Sequence, residues 1–165
     1  MKQASNPFHK IVVAYDDSPV ARDALRAGIE LCKLVDKPLE TITVMEPTPA
    51  YSGFIVAVAP DVARGLETDR RRRHEEIVEF AVAEGRRHDI AVTGHVVEAA
   101  EVDGVISFLR EREADLLVIG LRHHDSHVAR LWSTVASLEQ EAPCNVLAIR
   151  AFSGGAEATE GPSGR

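Results

Sequence analysis

Short apolar runs that alternate with helical patterns constrain this chain more than any other feature. The clearest run is DLLVIG at residues 115–120, where apolar residues follow one another with almost no polar interruption. Such a run is typical of a strand buried on both faces, as in a parallel sheet covered by helices. Similar runs occur at residues 10–15, KIVVAY, and 144–149, CNVLAI. The sequence therefore favours an α/β fold.

Five strands and four helices are predicted in alternation. The strands are predicted at residues 10–15, 39–45, 90–97, 115–120 and 144–149. The helices are predicted at residues 18–36, 66–87 and 103–112, with a fourth around 128–138. Ser18 and Pro19 form a helix-start signal, because Ser accepts a bond from an orphan amide and Pro suits the first helical position. This alternation predicts an open, mostly parallel five-stranded sheet with helices on both faces.

The spacing of apolar residues identifies the buried face of each helix. The predicted core residues are Ala21, Leu25, Ile29 and Cys32 in the first helix, Leu66, Ile77, Phe80 and Ala81 in the second, Val105, Ile106 and Leu109 in the third, and Val128, Leu131, Trp132, Val135 and Leu138 in the fourth. Cys32 and Cys144 are interpreted as small core residues with reduced thiols.

The stretch from Pro47 to Gly65 is rich in Pro, Gly and small apolar residues and has no clean period. Connections of this length are uncommon in compact domains and are often lids, binding loops or interfaces. Its apolar residues 54–56 need cover. We therefore expect this loop to be mobile in a free monomer and to become ordered against the sheet or a partner subunit.

Length and charge limit the classes of partner. A chain of 165 residues suits a single domain, predicted at residues 1–150, and the Gly- and Ser-rich residues 151–165 are predicted to be a disordered tail. A net charge of −7 disfavours nucleic acid and anionic membranes as partners. No apolar signal segment follows Met1, so a cytoplasmic location is expected.

A ligand site is expected at one edge of the predicted sheet. Ligands of open parallel sheets bind beyond the carboxyl ends of the strands, where the strand order reverses. The residues just after strands one, two and four are 16–18, 44–46 and the segment that begins at Gly120. These three segments are therefore the predicted walls of the site.

Taken together, the stretches VVAYDDSPVARDAL, ADLLVIG and APCNVLAIR resemble the universal stress protein family over residues 8–150. The resemblance implies a non-enzymatic stress-response module that forms a homodimer through its last strand and has further, unknown protein partners. It also implies a possible site for ATP or another adenine nucleotide. The candidate binding residues are Ala14, Asp16, Val44, Ile119, Gly120, Arg122, His123, Ser133, Thr134 and Val135.

The segment after strand four departs from the pattern of nucleotide-binding family members. That pattern has Gly-x-x-Gly, nine further residues, and then Gly followed by Ser or Thr. Here Gly120 is present, but His123 and Ser133 occupy the other two glycine positions. Side chains there obstruct the approach of backbone amides to phosphate. The resemblance therefore implies weak or absent ATP binding, with an ATP-binding switch of the same family as the alternative.

Three other interpretations remain open. Asp16 and Asp17 would suit a phospho-acceptor receiver domain, but strand three lacks a terminal Asp and no Lys follows strand five. A slow ATP hydrolase or adenylyl transferase would need a catalytic base, which the pattern does not supply. Residues 123–127, HHDSH, could bind a metal, although a solvated loop is favoured and no metal site is predicted. The basic run at 70–73 is interpreted as a solvated helix face.

Overall fold

A computed structural model describes residues 7–47, 57–121 and 136–150 of the chain. The elements are β1 (Ile11–Ala14), α1 (Pro19–Val35), β2 (Leu39–Met45), α2 (Pro60–Arg87), β3 (Val92–Glu98), α3 (Glu101–Arg112), β4 (Leu116–Leu121) and β5 (Asn145–Arg150). Residues 136–141 are also helical. The candidate residues Arg122, His123, Ser133, Thr134 and Val135, and the predicted disordered tail, lie outside the described residues.

The strands form one parallel sheet in the order β3-β2-β1-β4-β5. Ile11 of β1 pairs with Leu39 of β2 on one side and with Leu116 of β4 on the other. Strands β2 and β3 therefore extend the sheet on one side of β1, and β4 and β5 extend it on the other side. The predicted fold class is confirmed, and the strand order reverses between β1 and β4.

Helix α1 begins where its sequence predicts. The Ser18 hydroxyl oxygen accepts a hydrogen bond from the Ala21 amide at 3.3 Å, and Pro19 occupies the first turn. The helix ends at Val35, and the next residue, Asp36, adopts a left-handed conformation with φ of 55°. The predicted apolar face of α1 is confirmed, because Ala21, Leu25, Ile29 and Cys32 are all buried.

Two hydrophobic cores lie on opposite faces of the sheet, because successive side chains of a strand point to opposite sides. Ile11 and Val13 pack with α1 and α2 on one face. Val12 packs with α3 and Leu138 on the other. Strand β4 contributes to both cores, and its residues 116–119 are buried as predicted. The sheet is thus covered on both faces.

Helix α2 differs from its prediction in two respects. It begins at Pro60, so residues 60–65 are helical although they were assigned to the loop. Leu66 and Phe80, predicted to be buried, are 58% and 37% exposed. At about 1.5 Å per residue, a helix of 28 residues is roughly 42 Å long, whereas its strand neighbours span about 23 Å. The sheet therefore cannot cover the whole apolar side of α2.

Smaller corrections concern element ends. Strand β3 begins at Val92 because the amide of Ile90 is bonded to the Gly85 carbonyl in the turn after α2. Helix α3 begins at Glu101 rather than Asp103. Cys144 precedes β5 and is only partly buried, since β5 lies at the sheet edge. None of the described helices is long and apolar enough to cross a membrane.

Candidate functional site

A cleft of about 410 Å³ opens at the carboxyl end of the sheet, where the strand order reverses. Its walls come from the ends of β1, β2 and β4, from the first turns of α1 and α3, and from the 136–141 helix. The lining residues are Ala14, Tyr15, Asp16, Ser18, Val20, Ala21, Ile42, Val44, Glu46, Glu101, Val105, Ile119, Gly120 and Leu138. Its size falls within the range typical of small-molecule sites.

The turn between β1 and α1 is fixed by its own side chains. One carboxylate oxygen of Asp16 accepts a hydrogen bond from the Ser18 amide at 3.0 Å. Asp17 has a positive φ of 61°, a conformation that Asp tolerates better than most residues. Its carboxylate accepts bonds from the Tyr15 hydroxyl and from Arg22 Nε, both at 2.9 Å. The turn therefore presents Asp16 to the cleft, while Asp17 bonds to neighbouring side chains.

The hydrogen bonds around Asp17 change the pKa of Asp17 itself and that of Tyr15. The hydrogen bond from Arg22 holds the pKa of Asp17 below its usual value. Burial, followed by the bond to the Asp17 carboxylate, raises the pKa of Tyr15, so the phenol stays protonated. The guanidinium carbon of Arg22 lies over the Phe80 ring, 5.3 Å from the ring centroid. The same ring stacks on Tyr15. This cluster explains why Phe80 faces the α1 side of α2 while remaining partly exposed.

Gly120 is needed for close packing. A Cβ at this position would lie 2.5 Å from the carbonyl carbon and oxygen of Val20 and 2.8 Å from the amide nitrogen of Ala21. The described glycines all lack a positive φ, so left-handed geometry is not the reason for glycine here. Any larger residue at position 120 would push the end of β4 away from the first turn of α1.

The end of β2 is held from two sides. The Thr43 hydroxyl donates a hydrogen bond to the Tyr15 carbonyl at 2.8 Å, which joins β2 to β1. From α2, Arg70 donates to the Glu46 carbonyl and lies 3.3 Å from a carboxylate oxygen of Glu98. The Arg70 side chain is only 24% exposed, so the solvated helix face predicted for residues 70–73 is found for residues 71–73 and not for Arg70. Arg70 positions the β2 wall of the cleft.

Helix α3 approaches the same wall at its first turn. Gly104 allows this approach, since a Cβ there would meet the Ala99 Cβ at 3.0 Å and the Val44 methyl groups at 3.4 Å. Glu101 and Asp103 lie in this first turn, and Glu101 lines the cleft. Glu101 is not among the residues predicted for the site, although a charged residue just after β3 is also at the carboxyl end of a strand.

The structure brings together half of the candidate binding residues. Ala14, Asp16, Val44, Ile119 and Gly120 line this cleft together. The other five candidates, and the HHDSH tract at 123–127, fall outside the described residues. Within the described ranges, no group of three or more His, Cys, Asp or Glu residues is placed to hold a metal ion.

Comparison with known proteins decides the family. A model described as the universal stress protein family matches residues 7–150. The chain belongs to the universal stress protein family. Among solved structures, a universal stress protein from Burkholderia pseudomallei is 26% identical, with a TM-score of 0.67, and the match covers 88% of this chain and 98% of that one. None of the curated protein sequences matches at a significant level.

Two more distant structures share the fold and contain nucleotides. A universal stress protein from Arabidopsis thaliana with AMP bound is 16% identical, with a TM-score of 0.63 and coverage of 88% of this chain and 93% of that one. The universal stress protein from Archaeoglobus fulgidus in complex with dAMP is 20% identical, with a TM-score of 0.60 and coverage of 87% and 99%. At these identities the likeness concerns the fold.

Proposed function

We propose that this protein is a non-enzymatic, cytoplasmic stress-response module that acts as a homodimer through β5 and binds ATP weakly or not at all. Membership of the universal stress protein family supports the stress-response role. The cleft between β1 and β4 is its candidate ligand site. Regulation would then come from dimer formation and protein partners rather than from catalysis.

The packing around Gly120 is the observation that carries the ATP part of the proposal. It is the one glycine retained from the three-glycine pattern of nucleotide-binding members, and its contact with Val20 and Ala21 accounts for it without a phosphate. The other two pattern positions are His123 and Ser133. The retained glycine is thus no evidence for a phosphate site, and the two replacements oppose one.

The alternative is an adenine-nucleotide-binding switch of the same family. Two observations favour it. Distant structures of the same fold contain AMP or dAMP, and the cleft has an apolar wall formed by Val44, Ile119 and Val105 that suits a planar base. Arg122, together with the hydroxyls of Ser133 and Thr134, could supply phosphate donors in place of the missing glycines.

Calorimetry with Mg-ATP on two proteins tests the proposal. We expect the native chain to bind ATP with a dissociation constant in the high micromolar range or weaker. The double variant His123→Gly with Ser133→Gly should bind ATP at least about tenfold more tightly than the native chain. Sub-micromolar affinity of the native chain, unchanged by the two glycines, would establish the switch instead. Purified protein that carries no adenine nucleotide would agree with the proposal.

A further inference from the structure

The turn that follows β1 is held by contacts that converge on one oxygen atom. Asp17 Oδ1 accepts hydrogen bonds from the Tyr15 hydroxyl and from Arg22 Nε, both at 2.9 Å, and Arg22 Nη2 lies 2.9 Å from the same atom. These contacts compensate for the positive φ of Asp17, which residues other than Gly adopt at a cost. The residues on either side, Asp16 and Ser18, line the cleft. The contacts to Asp17 therefore determine the backbone of this wall.

Helix α2 reaches this turn through the side chain of Phe80. The Phe80 ring stacks on Tyr15, and the Arg22 guanidinium carbon lies over it, 5.3 Å from the ring centroid. The ring thus contacts both residues that bind the Asp17 carboxylate. An open groove of about 520 Å³, lined by residues 16–20 and Ile77, lies between the turn and α2. Phe80 therefore bridges the two elements beside this groove.

Helix α2 also holds a second wall of the cleft. Arg70 precedes Phe80 by about 15 Å along the helix axis. It donates to the Glu46 carbonyl at the end of β2 and lies 3.3 Å from a carboxylate oxygen of Glu98 at the end of β3. Glu46 lines the cleft. One continuous helix therefore contacts both the β1 side and the β2 side of the cleft.

We infer that α2 regulates the cleft, because its position against the sheet sets the β1–α1 turn through Phe80 and the end of β2 through Arg70. This inference rests on the proposed function, since it takes the cleft as the ligand site of the module. A helix moves as a stiff unit, so a shift of α2 at one contact is transmitted to the other. A protein partner bound to α2 would therefore change the shape of the cleft without entering it. Phe80, Arg22 and Arg70 are positioning residues, which act on the cleft through Asp17 and Glu46.

Amide hydrogen exchange of the full-length protein without ligand, followed by NMR, tests the inference. The reporter at the turn is the Ser18 amide, which donates to the Asp16 carboxylate. The reporter at the end of β2 is the Ala99 amide, which donates to the Met45 carbonyl at 3.2 Å. Phe80→Ala should speed exchange about three- to tenfold at Ser18, where the contact is lost, and about two- to fivefold at Ala99, to which α2 transmits the change.

The complementary variant is Arg70→Lys, which keeps the charge but loses the planar fork that reaches both strand ends. Its larger effect, about three- to tenfold, should appear at Ala99 and its smaller effect, about two- to fivefold, at Ser18. Arg72→Lys is a matched control, because Arg72 belongs to exposed ion pairs on the same helix. It should leave both reporters unaltered.

Two further measurements separate positioning from a general loss of stability. Phe80→Tyr keeps the ring and should retain native exchange at both reporters. The amide of the fully buried Val13, in the central strand, should exchange at its native rate in every variant. Acceleration confined to the wall that each variant touches, no acceleration, or equal acceleration at Val13 would overturn the inference. Because no ligand is added, tight ATP binding in calorimetry would contradict the proposed function and leave this result unchanged.

Discussion

The two edges of the sheet are built differently. At the β3 edge, polar side chains contact the neighbouring elements: His95 Nε2 lies 2.8 Å from Glu40 of β2, and Glu98 lies 3.3 Å from Arg70 of α2. Strand β5, NVLAIR, has a single charge, at its last residue. Its Leu147 is 36% exposed. Natural proteins use charged side chains and covering elements to prevent sheet edges from associating with other chains. The difference indicates that β3 is an edge kept apart from other chains, whereas β5 is suited to pairing.

The largest expected effect comes from placing a charge on the β5 edge. Leu147→Lys should convert the proposed homodimer, twice the 18.0 kDa of one chain, to a monomer in light scattering at micromolar concentration. Val96→Lys on β3 is a matched control, since Val96 is also 36% exposed, and it should leave the dimer intact. A native chain that already scatters as a monomer would exclude pairing through β5.

The next effect concerns how closely α2 packs on the β3 edge. A Cβ at Gly94 would overlap Val78 Cγ1 and lie 3.3 Å from the Thr41 hydroxyl. Gly94→Ala should therefore lower the free energy of unfolding by about 1–3 kcal/mol in urea denaturation.

Two companion variants separate overlap from the general effect of an added methyl group. Val78→Ala removes the overlapping methyl, so the double variant should be more stable than Gly94→Ala alone. At Gly65 nothing lies within 4 Å of a new Cβ. Gly65→Ala should therefore raise the free energy of unfolding by about 0.5–1 kcal/mol, because Ala favours the helix. Strictly additive losses in the Gly94 and Val78 pair would show that the two side chains do not interact.

A somewhat smaller effect is expected from the polar cluster of the β3 edge. Glu40, His95 and Arg112 lie together beside Phe108, and Arg112 Nε is 3.6 Å from Glu40. Glu40→Ala leaves the partly buried His95 and Arg112 side chains without the carboxylate beside them and should lower the free energy of unfolding by about 1–2 kcal/mol. Glu30→Ala removes an exposed ion pair with Lys33 and should leave the free energy of unfolding almost unchanged, because solvent screens such a pair. Equal losses in chemical denaturation would mean that burial of the cluster contributes nothing.

Local sequence signals predicted the sheet because they are short-range. A continuous apolar run such as residues 116–119 and the Ser18–Pro19 cap depend on neighbours within one turn or strand. The start of α2 at Pro60 was missed because residues 60–65 follow a Pro- and Gly-rich stretch that resembles a loop. The exposure of Leu66 depends on the lengths of two packed elements, which no local pattern contains.

The candidate site was predictable only in part for the same reason. Its place followed from the rule that ligands bind where the strand order reverses, and Asp16 and Val44 line the cleft. Arg70 and Glu101 were missed, since their relation to the cleft depends on how α2 and α3 pack on the strand ends. Gly120 was identified as important, but the geometry attributes it to contact with α1.

The smallest expected effect concerns the thiols of Cys32 and Cys144, which belong to the cores on opposite faces of the sheet. Burial raises the pKa of both thiols, and that of Cys32 rises to about 11 from 9.0. The partly buried Cys144, beside β5, should react first with a thiol-specific disulfide reagent at pH 8, and Cys32 only on unfolding. The raised pKa of Cys32 means that its thiol keeps its proton to a higher pH in the folded state than in the unfolded state. Its contribution to stability is therefore complete below pH 9 and decreases as the pH rises toward 11. Between pH 8 and 9.5 this decrease should be under about 1 kcal/mol, and Cys32→Ala should remove it while Cys144→Ala retains it. Faster labelling of Cys32 than of Cys144 in the folded protein would contradict the burial that separates the two thiols.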